Sequence, residues 1–297
     1  MASLLSRLAP IALTLRGSKR MFSDPRKTLD RVEHLRLHPA KFEPPASISR
    51  YVDVSSRDVD GWLVFDVSAR TGGNNARAVF LHGGCYVFEI DPLHWRFVAQ
   101  LVRETGVTIS VPIMPLAPLG QASVVVDKVA HLVQSLIAEV GAKNVSIIGD
   151  SSGGGMALAV AMELRDRKHE PVRAIVLSAP WLDISGTDPK LAEIAPSDPW
   201  LAVPGTKAAG ALYRAELSES DWRVSPIHGD LTGLGPITVF TGTRDIVHAD
   251  ALRLQAKAVE QGIHLDFHVG EGMIHNYPIL PIPEGAAARA VIAEAIS

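Results

Sequence analysis

The sequence predicts an α/β fold in which a mostly parallel sheet is covered by helices on both faces. Three observations carry that prediction. Strand-like and helical segments alternate beyond residue 50; several strand-like runs are continuously apolar and rich in Val and Ile; and one glycine-rich turn, "GDSSGGG", joins such a run directly to a helical pattern.

Taken in order, the first element is an N-terminal helix. Leu4, Leu5, Leu8, Ile11, Ala12 and Leu15 share one helical face, which is expected to pack on the domain. An export signal fits less well, because Pro10 and Thr14 interrupt the apolar run and no A-x-A site follows, and the run is far too short to span a bilayer. Docking on a membrane surface through Arg7, Arg16, Lys19 and Arg20 is the minor alternative. Strand-like runs follow at "GWLVFDVSA", "ARAVFLH", "VTISVPIM", "NVSIIGD", "VRAIVLSA", "PITVFTG" and "IHLDFHV". Helical patterns cover roughly Pro92 to Glu104, Gln121 to Val140, Ser152 to Lys168, Ala249 to Gln261 and Pro283 to Ile296. The stretch from Leu182 to Leu234, rich in Pro, Asp and Gly with a helical piece near Thr206 to Ala215, breaks the rhythm and reads as an insertion.

Composition narrows the class of partner. The 297 residues are 47% hydrophobic and 21% charged, with mean hydropathy +0.16, which is ordinary for a globular chain. A net charge of −3 and a pI near 6.4 argue against nucleic acid as a partner, and no segment calls for stable membrane insertion. A single cysteine forms no internal disulfide, which suits a reducing compartment and makes the cytoplasm the expected location. No pattern sets the oligomeric state, and a homodimer is allowed.

The chemistry is carried by "VSIIGDSSGGG". Gly149-Asp150-Ser151-Ser152-Gly153 satisfies G-x-S-x-G between a strand and a helix, the context in which a sharp turn presents the central serine at the carboxyl end of a sheet. It has neither G-x-G-x-x-G nor G-K-[ST], so a nucleotide-binding loop is excluded. A serine at its ordinary pKa is a weak nucleophile and needs a base and an orienting acid, which should follow it in the order acid, then histidine. Asp245 in "VFTGTRDIVHAD" and His275 in "FHVGEGMIHNYPIL" each lie just past a strand end, on the serine's edge of the sheet. Taken singly, Asp245 could be a helix cap and His275 a loop histidine. Together they form the expected triad; Asp183, Asp266, Glu271, His248 and His268 are worse placed. Asp150 should point away from the triad and support the turn. Fixed N–H donors for the developing oxyanion come from the residue after the nucleophile, Ser152, and from the loop "HGGC" after an earlier strand: Gly83, Gly84 and Cys85. His82, which precedes those donors, is expected to hold the loop's shape.

With these motifs in place, the sequence resembles the bacterial hormone-sensitive-lipase-like family of α/β-hydrolases. The matches are "HGG" at 82–84, "GDSSGG" at 149–154, "PWLDIS" at 180–185, "SDPWL" at 197–201, "SPIHGDLTGLGPITVFTGTRD" at 225–245 and "GMIHNYP" at 272–278. The resemblance implies an eight-stranded, mostly parallel sheet and the triad Ser151, Asp245 and His275, with no metal and no organic cofactor. It implies a catalytic domain over residues 51–181 and 235–297, with residues 1–50 and the insertion 182–234 forming a cap. The implied substrates are small carboxylic esters of short to medium acyl chain, with lactones and acylated amines in some members.

Two departures stand out. The usual H-G-G-G becomes His82-Gly83-Gly84-Cys85, and the usual tyrosine-arginine-leucine-alanine-proline becomes Met114-Pro115-Leu116-Ala117-Pro118. In the family the second and third loop glycines donate, here Gly84 and Cys85; a cysteine still has its backbone N–H but adds a Cβ where glycine suits close approach or positive φ. A bulkier residue at that position also occurs in related formamidases, which makes amide or formamide hydrolysis the runner-up; a non-catalytic small-molecule receptor is the alternative of another class. Trp181, Trp200, Trp222, Tyr86 and Tyr213 are candidate pocket contacts, although packing is the better expectation for any one of them.

Overall fold

The computed structural model describes residues 3–297. Three helices, α1 (Leu4–Arg16), α2 (Ser18–Phe22) and α3 (Pro25–Leu37), precede an eight-stranded sheet. Its strands are β1 (Val52–Val59), β2 (Trp62–Ala69), β3 (Arg77–Leu81), β4 (Thr108–Pro112), β5 (Val145–Asp150), β6 (Ala174–Ser178), β7 (Ile237–Arg244) and β8 (Leu265–Ile274). Their spatial order is β1-β2-β4-β3-β5-β6-β7-β8, antiparallel from β1 through β2 to β4 and parallel from β4 onward. Helices α4 (Pro92–Thr105), α5 (Ala122–Val140), α6 (Ser152–Asp166), α9 (His248–Glu260) and α10 (Pro283–Ile296) follow β3, β4, β5, β7 and β8, while α7 (Lys190–Ile194) and α8 (Val203–Arg214) lie between β6 and β7.

Alternation along the central strands builds two cores. Val79 and Leu81 of β3, Ile147 of β5 and Ile175 and Leu177 of β6 pack with α5 and α6 on one face. Ala78, Phe80, Ile148 and Val176, the residues between them, pack on the other face with α4 and α10. This burial on both sides is why those strands are apolar throughout.

Two features depart from the sequence reading. Strand β1 was not foreseen: it is an edge strand whose middle, Ser55-Ser56-Arg57-Asp58, is polar, so it lacks the apolar run of an interior strand. Its signal was the Asp60-Gly61 turn, both residues at positive φ (51° and 81°), which joins Val59 to Trp62 as a two-residue hairpin. The second departure is the orientation of α1. Its leucine stripe was expected to pack on the domain, yet Leu4, Leu5, Leu8 and Ile11 are 73%, 55%, 50% and 55% exposed. The helix is docked by its other side, where Ser6 and Pro10 are buried and the Ser3 hydroxyl donates to Glu284 Oε2 at 2.9 Å. The side chains of Ala12, Leu15 and Arg16 lie outside the described residues. No helix among the described residues is long and apolar enough to cross a membrane.

Candidate active site

Ser151 occupies the turn between β5 and α6 with φ 54° and ψ −122°, a conformation that costs on the order of 1–3 kcal/mol and must be imposed by its surroundings. Its N–H donates to the Ser178 carbonyl (2.9 Å), and its own carbonyl accepts from Trp181 N–H (2.9 Å) and from the Gly154 and Gly155 N–H groups. The turn also needs small neighbours: a Cβ on Gly153 would collide with the Leu81 and His82 carbonyls. The end of β3, which leads into the donor loop, therefore lies against the start of α6.

Asp245 and His275 follow the ends of β7 and β8 directly. Asp245 is fully buried, and its Oδ2 accepts a 2.8 Å hydrogen bond from His275 Nδ1, while Oδ1 accepts from Val247 N–H at 3.1 Å. Because a carboxylate only accepts, Nδ1 carries the proton and Nε2 is left with its lone pair. Burial disfavours the charged ring, but the Asp245 charge and hydrogen bond outweigh it, so the His275 pKa lies above the ordinary histidine value. Ser151 and His275 line the same cavity and are not hydrogen-bonded to each other there. Trp200 packs edge-on against the imidazole at 5.6 Å.

Asp150 joins the donor loop to this assembly. One oxygen accepts from Gly83 N–H at 2.9 Å; the other accepts from Asn276 Nδ2 at 2.6 Å and faces His94 Nε2 at 3.3 Å. The expectation that Gly83 helps form an oxyanion hole is thereby corrected: its only N–H is taken by Asp150, and a Cβ there would strike that carboxylate and Ser151. The N–H groups of Gly84, Cys85 and Ser152 have no acceptor among the described residues. His82 sits in the loop with Nδ1 donating to the Gly83 carbonyl at 2.6 Å; burial first, then the charge on nearby His94, pushes its pKa down to about 4.

His94 itself is buried between Asp150 and Asp91, whose Oδ1 lies 3.0 Å from Nδ1. Burial opposes its charge, yet the two carboxylates prevail and raise its pKa to about 10. The folded state therefore holds a proton that the unfolded chain releases near 6.5, so the stability this contributes is complete below about pH 6.5 and is lost as pH rises towards 10. Thermal melts should show a Tm that falls across that window by several degrees more in the wild type than in His94→Gln. Parallel curves would contradict a charged His94.

The cavity over Ser151 has a volume of about 170 Å³ and is walled by Met21, Phe22, Phe88, Trp200 and Leu201 besides the donor loop. A second space of about 20 Å³, lined by Trp181, Ile184 and Leu191, also adjoins Ser151. Cys85 borders both. It has φ +54°, in the left-handed region where glycine is preferred, and burial alone pushes its thiol up to about 12, which removes it as a nucleophile. Cys85→Gly keeps every donor, so kcat on the best ester should stay within roughly tenfold, where loss of a donor would cost about 10²–10³. Acyl preference should shift by about tenfold as the two spaces merge, read as kcat/KM along an acyl series. Among the aromatic candidates, Trp200 and Trp181 line the two spaces, whereas Tyr86 and Tyr213 stack on each other at 3.7 Å in the core and Trp222 packs against its edge.

Three residues that the sequence reading did not single out organise the site. His94 and Asn276 hold Asp150, and Asp198 holds the acid's loop: its Oδ2 accepts from Ile246 N–H (2.9 Å), and its Oδ1 from Trp200 and Leu201 N–H (2.7 and 2.9 Å). Burial and the neighbouring Asp245 charge raise the Asp198 pKa to about 6. The available signals were Asn276 following His275 in "HNYP" and Asp198 inside "SDPWL"; His94 has no local signature.

A mostly parallel sheet with a serine elbow at its carboxyl edge defines the class as an α/β hydrolase. The chain matches the model of an alpha/beta hydrolase fold family over residues 78–279. It is 32% identical over 203 residues to a triacylglycerol lipase of Mycobacterium tuberculosis, covering 68% of this chain but only 42% of the lipase. It is 28% identical over 218 residues to an esterase of Acinetobacter venetianus, covering 72% of each. A solved esterase from the bacterial hormone-sensitive lipase family superposes with a TM-score of 0.82 at 24% identity, covering 100% of this chain and 98% of that one, a likeness of fold. The chain belongs to this α/β-hydrolase family, and the curated relatives it matches are named as lipases and esterases.

Proposed function

We propose that this hydrolase is a carboxylesterase that cleaves short-acyl esters through a serine acyl-enzyme. The observation that carries this reading is the 2.8 Å bond from His275 Nδ1 to Asp245 Oδ2, buried beside the serine turn with Nε2 left over as a base. In the proposed sequence, Nε2 takes the Ser151 proton as Oγ attacks the ester carbonyl, and the Asp245 charge favours the imidazolium that forms. The N–H groups of Gly84, Cys85 and Ser152 receive the oxyanion, and the alkoxide leaves with the proton from Nε2. Water then repeats the cycle on the acyl-enzyme. Asp150 and His82 act as positioning residues for the donor loop, and residues 1–50 and 182–234 act as the cap that supplies the lining. A cytoplasmic location agrees with the single, buried, unpaired Cys85.

The cavity sets the expected substrate size. At about 170 Å³ the cavity is smaller than the ~300–1,000 Å³ of a drug-sized ligand site, which favours a short acyl group. The test is a kcat/KM series of p-nitrophenyl esters from acetate to decanoate, run beside a lactone and an anilide. Esters of four carbons or fewer should lead, decanoate should trail by at least about tenfold, and the anilide should be slower than every ester. Anilide turnover above all the esters would replace this reading with amide hydrolysis.

A further inference from the structure

The leucine face of α1 is turned away from the protein. Leu4, Leu5, Leu8 and Ile11 lie on one side of the helix and are each at least half exposed, while the opposite side, with Ser6 and Pro10, is the docked one. An ordinary surface helix has the reverse arrangement, and four large apolar side chains in one stripe are more than the scattered exposure every protein tolerates. Charge accompanies the stripe: residues 1–23 contain Arg7, Arg16, Lys19 and Arg20 and no Asp or Glu, although the chain as a whole is acidic. Arg7 flanks the stripe and is exposed, as is Arg20 just beyond the helix.

The same segment leads straight to the cavity. Gly17 at φ 70° ends α1, and α2 then delivers Met21 and Phe22 to the cavity wall above Ser151. Lys19 Nζ also donates to the carbonyls of Ala195 and Asp198, next to the segment that brings in Trp200. The segment that would meet a bound surface thus runs on directly into the cavity wall.

We infer that α1 docks this protein on an anionic lipid surface, its exposed leucines entering the headgroup boundary and the exposed Arg7 and Arg20 meeting the lipid phosphates. The inference deepens the esterase reading and rests on it for the substrate class: amphiphilic esters whose short acyl group enters the cavity while the long alcohol chain stays in the bilayer. Charge complementarity selects an anionic surface over a second copy of this chain, because two such segments would bring like charges together.

The test is sedimentation of the full chain with vesicles of phosphatidylcholine alone or with 30% phosphatidylglycerol, for the wild type, Leu8→Asp/Ile11→Asp and Arg7→Glu. The wild type should bind the anionic vesicles and bind the neutral ones at least tenfold more weakly. Leu8→Asp/Ile11→Asp should lose binding by at least tenfold, and Arg7→Glu, which changes the local charge by two units, by more than the roughly fivefold that the loss of one cation near such a surface costs. Turnover of hexadecyl acetate carried in the anionic vesicles should fall in parallel in both variants, while turnover of soluble p-nitrophenyl butyrate stays within twofold. The inference is overturned if the wild type does not sediment with anionic vesicles, if Leu8→Asp/Ile11→Asp binds as well as the wild type, or if that variant instead converts a dimer to a monomer with no vesicle binding in either. Soluble ester turnover in the absence of vesicle binding overturns docking alone; vesicle binding with no turnover of either ester overturns the esterase reading alone.

Discussion

Ser151→Ala should lower kcat on p-nitrophenyl butyrate by about 10⁵–10⁶, the scale on which loss of the nucleophile collapses a serine triad, while leaving Tm within a degree or two. The backbone at this position is held at φ 54° by hydrogen bonds of its own N–H and carbonyl, none of which involves the hydroxyl, so alanine inherits the same conformation. What disappears is the atom proposed to form the acyl-enzyme. Residual turnover would come from the N–H donors and from binding, which alone provide about 10³–10⁴ over water in such enzymes. Mass spectrometry after treatment with an organophosphonate adds a direct check: one adduct on the wild type, none on the variant. A variant that keeps more than a few per cent of wild-type kcat would remove Ser151 from the mechanism.

Asp245→Asn is expected to cost about 10⁴ in kcat with little change in KM, since the amide can present an N–H to Nδ1 and hold the ring in the wrong tautomer. The pH dependence carries a sign. In the wild type the base must be neutral, and its pKa stands above the ordinary value because the Asp245 charge and bond outweigh burial. The acid limb of kcat/KM should therefore fall above the ordinary histidine midpoint. Without the carboxylate charge, burial remains and lowers the pKa, so the limb of the variant should move to lower pH. A limb that moves upward or stays put would show that another group governs it.

The interior of the sheet was legible because each central strand is buried on both faces, and its continuous apolar run says so locally. The serine turn was legible for a similar reason, since G-x-S-x-G requires only the strand before it and the helix after it. Asp245 and His275 were found from chain order and strand ends, and the fold brings them within hydrogen-bond distance. Facts that depend on contacts distant in sequence were hidden. That Gly83 gives its N–H to Asp150 is a contact 67 residues apart, so the loop motif alone counted one donor too many. The raised pKa of His94 depends on Asp150, 56 residues away. For α1, periodicity told which residues share a face but not which way the face turns, because that is decided by Ser3 and Ser6 meeting Glu284 at the far end of the chain.

Asp198 has a consequence for any attempt to redesign the pocket. One of its oxygens gathers the amides of Trp200 and Leu201, which wall the cavity, and the other takes the amide of Ile246, next to the acid that orients the base. Shape selection and basicity are thus wired through a single carboxyl group. Asp198→Asn would retune the acidity of the histidine along with the acyl preference, whereas changes at Met21 or Phe22 bypass that wire and would alter selectivity without moving the operating pH.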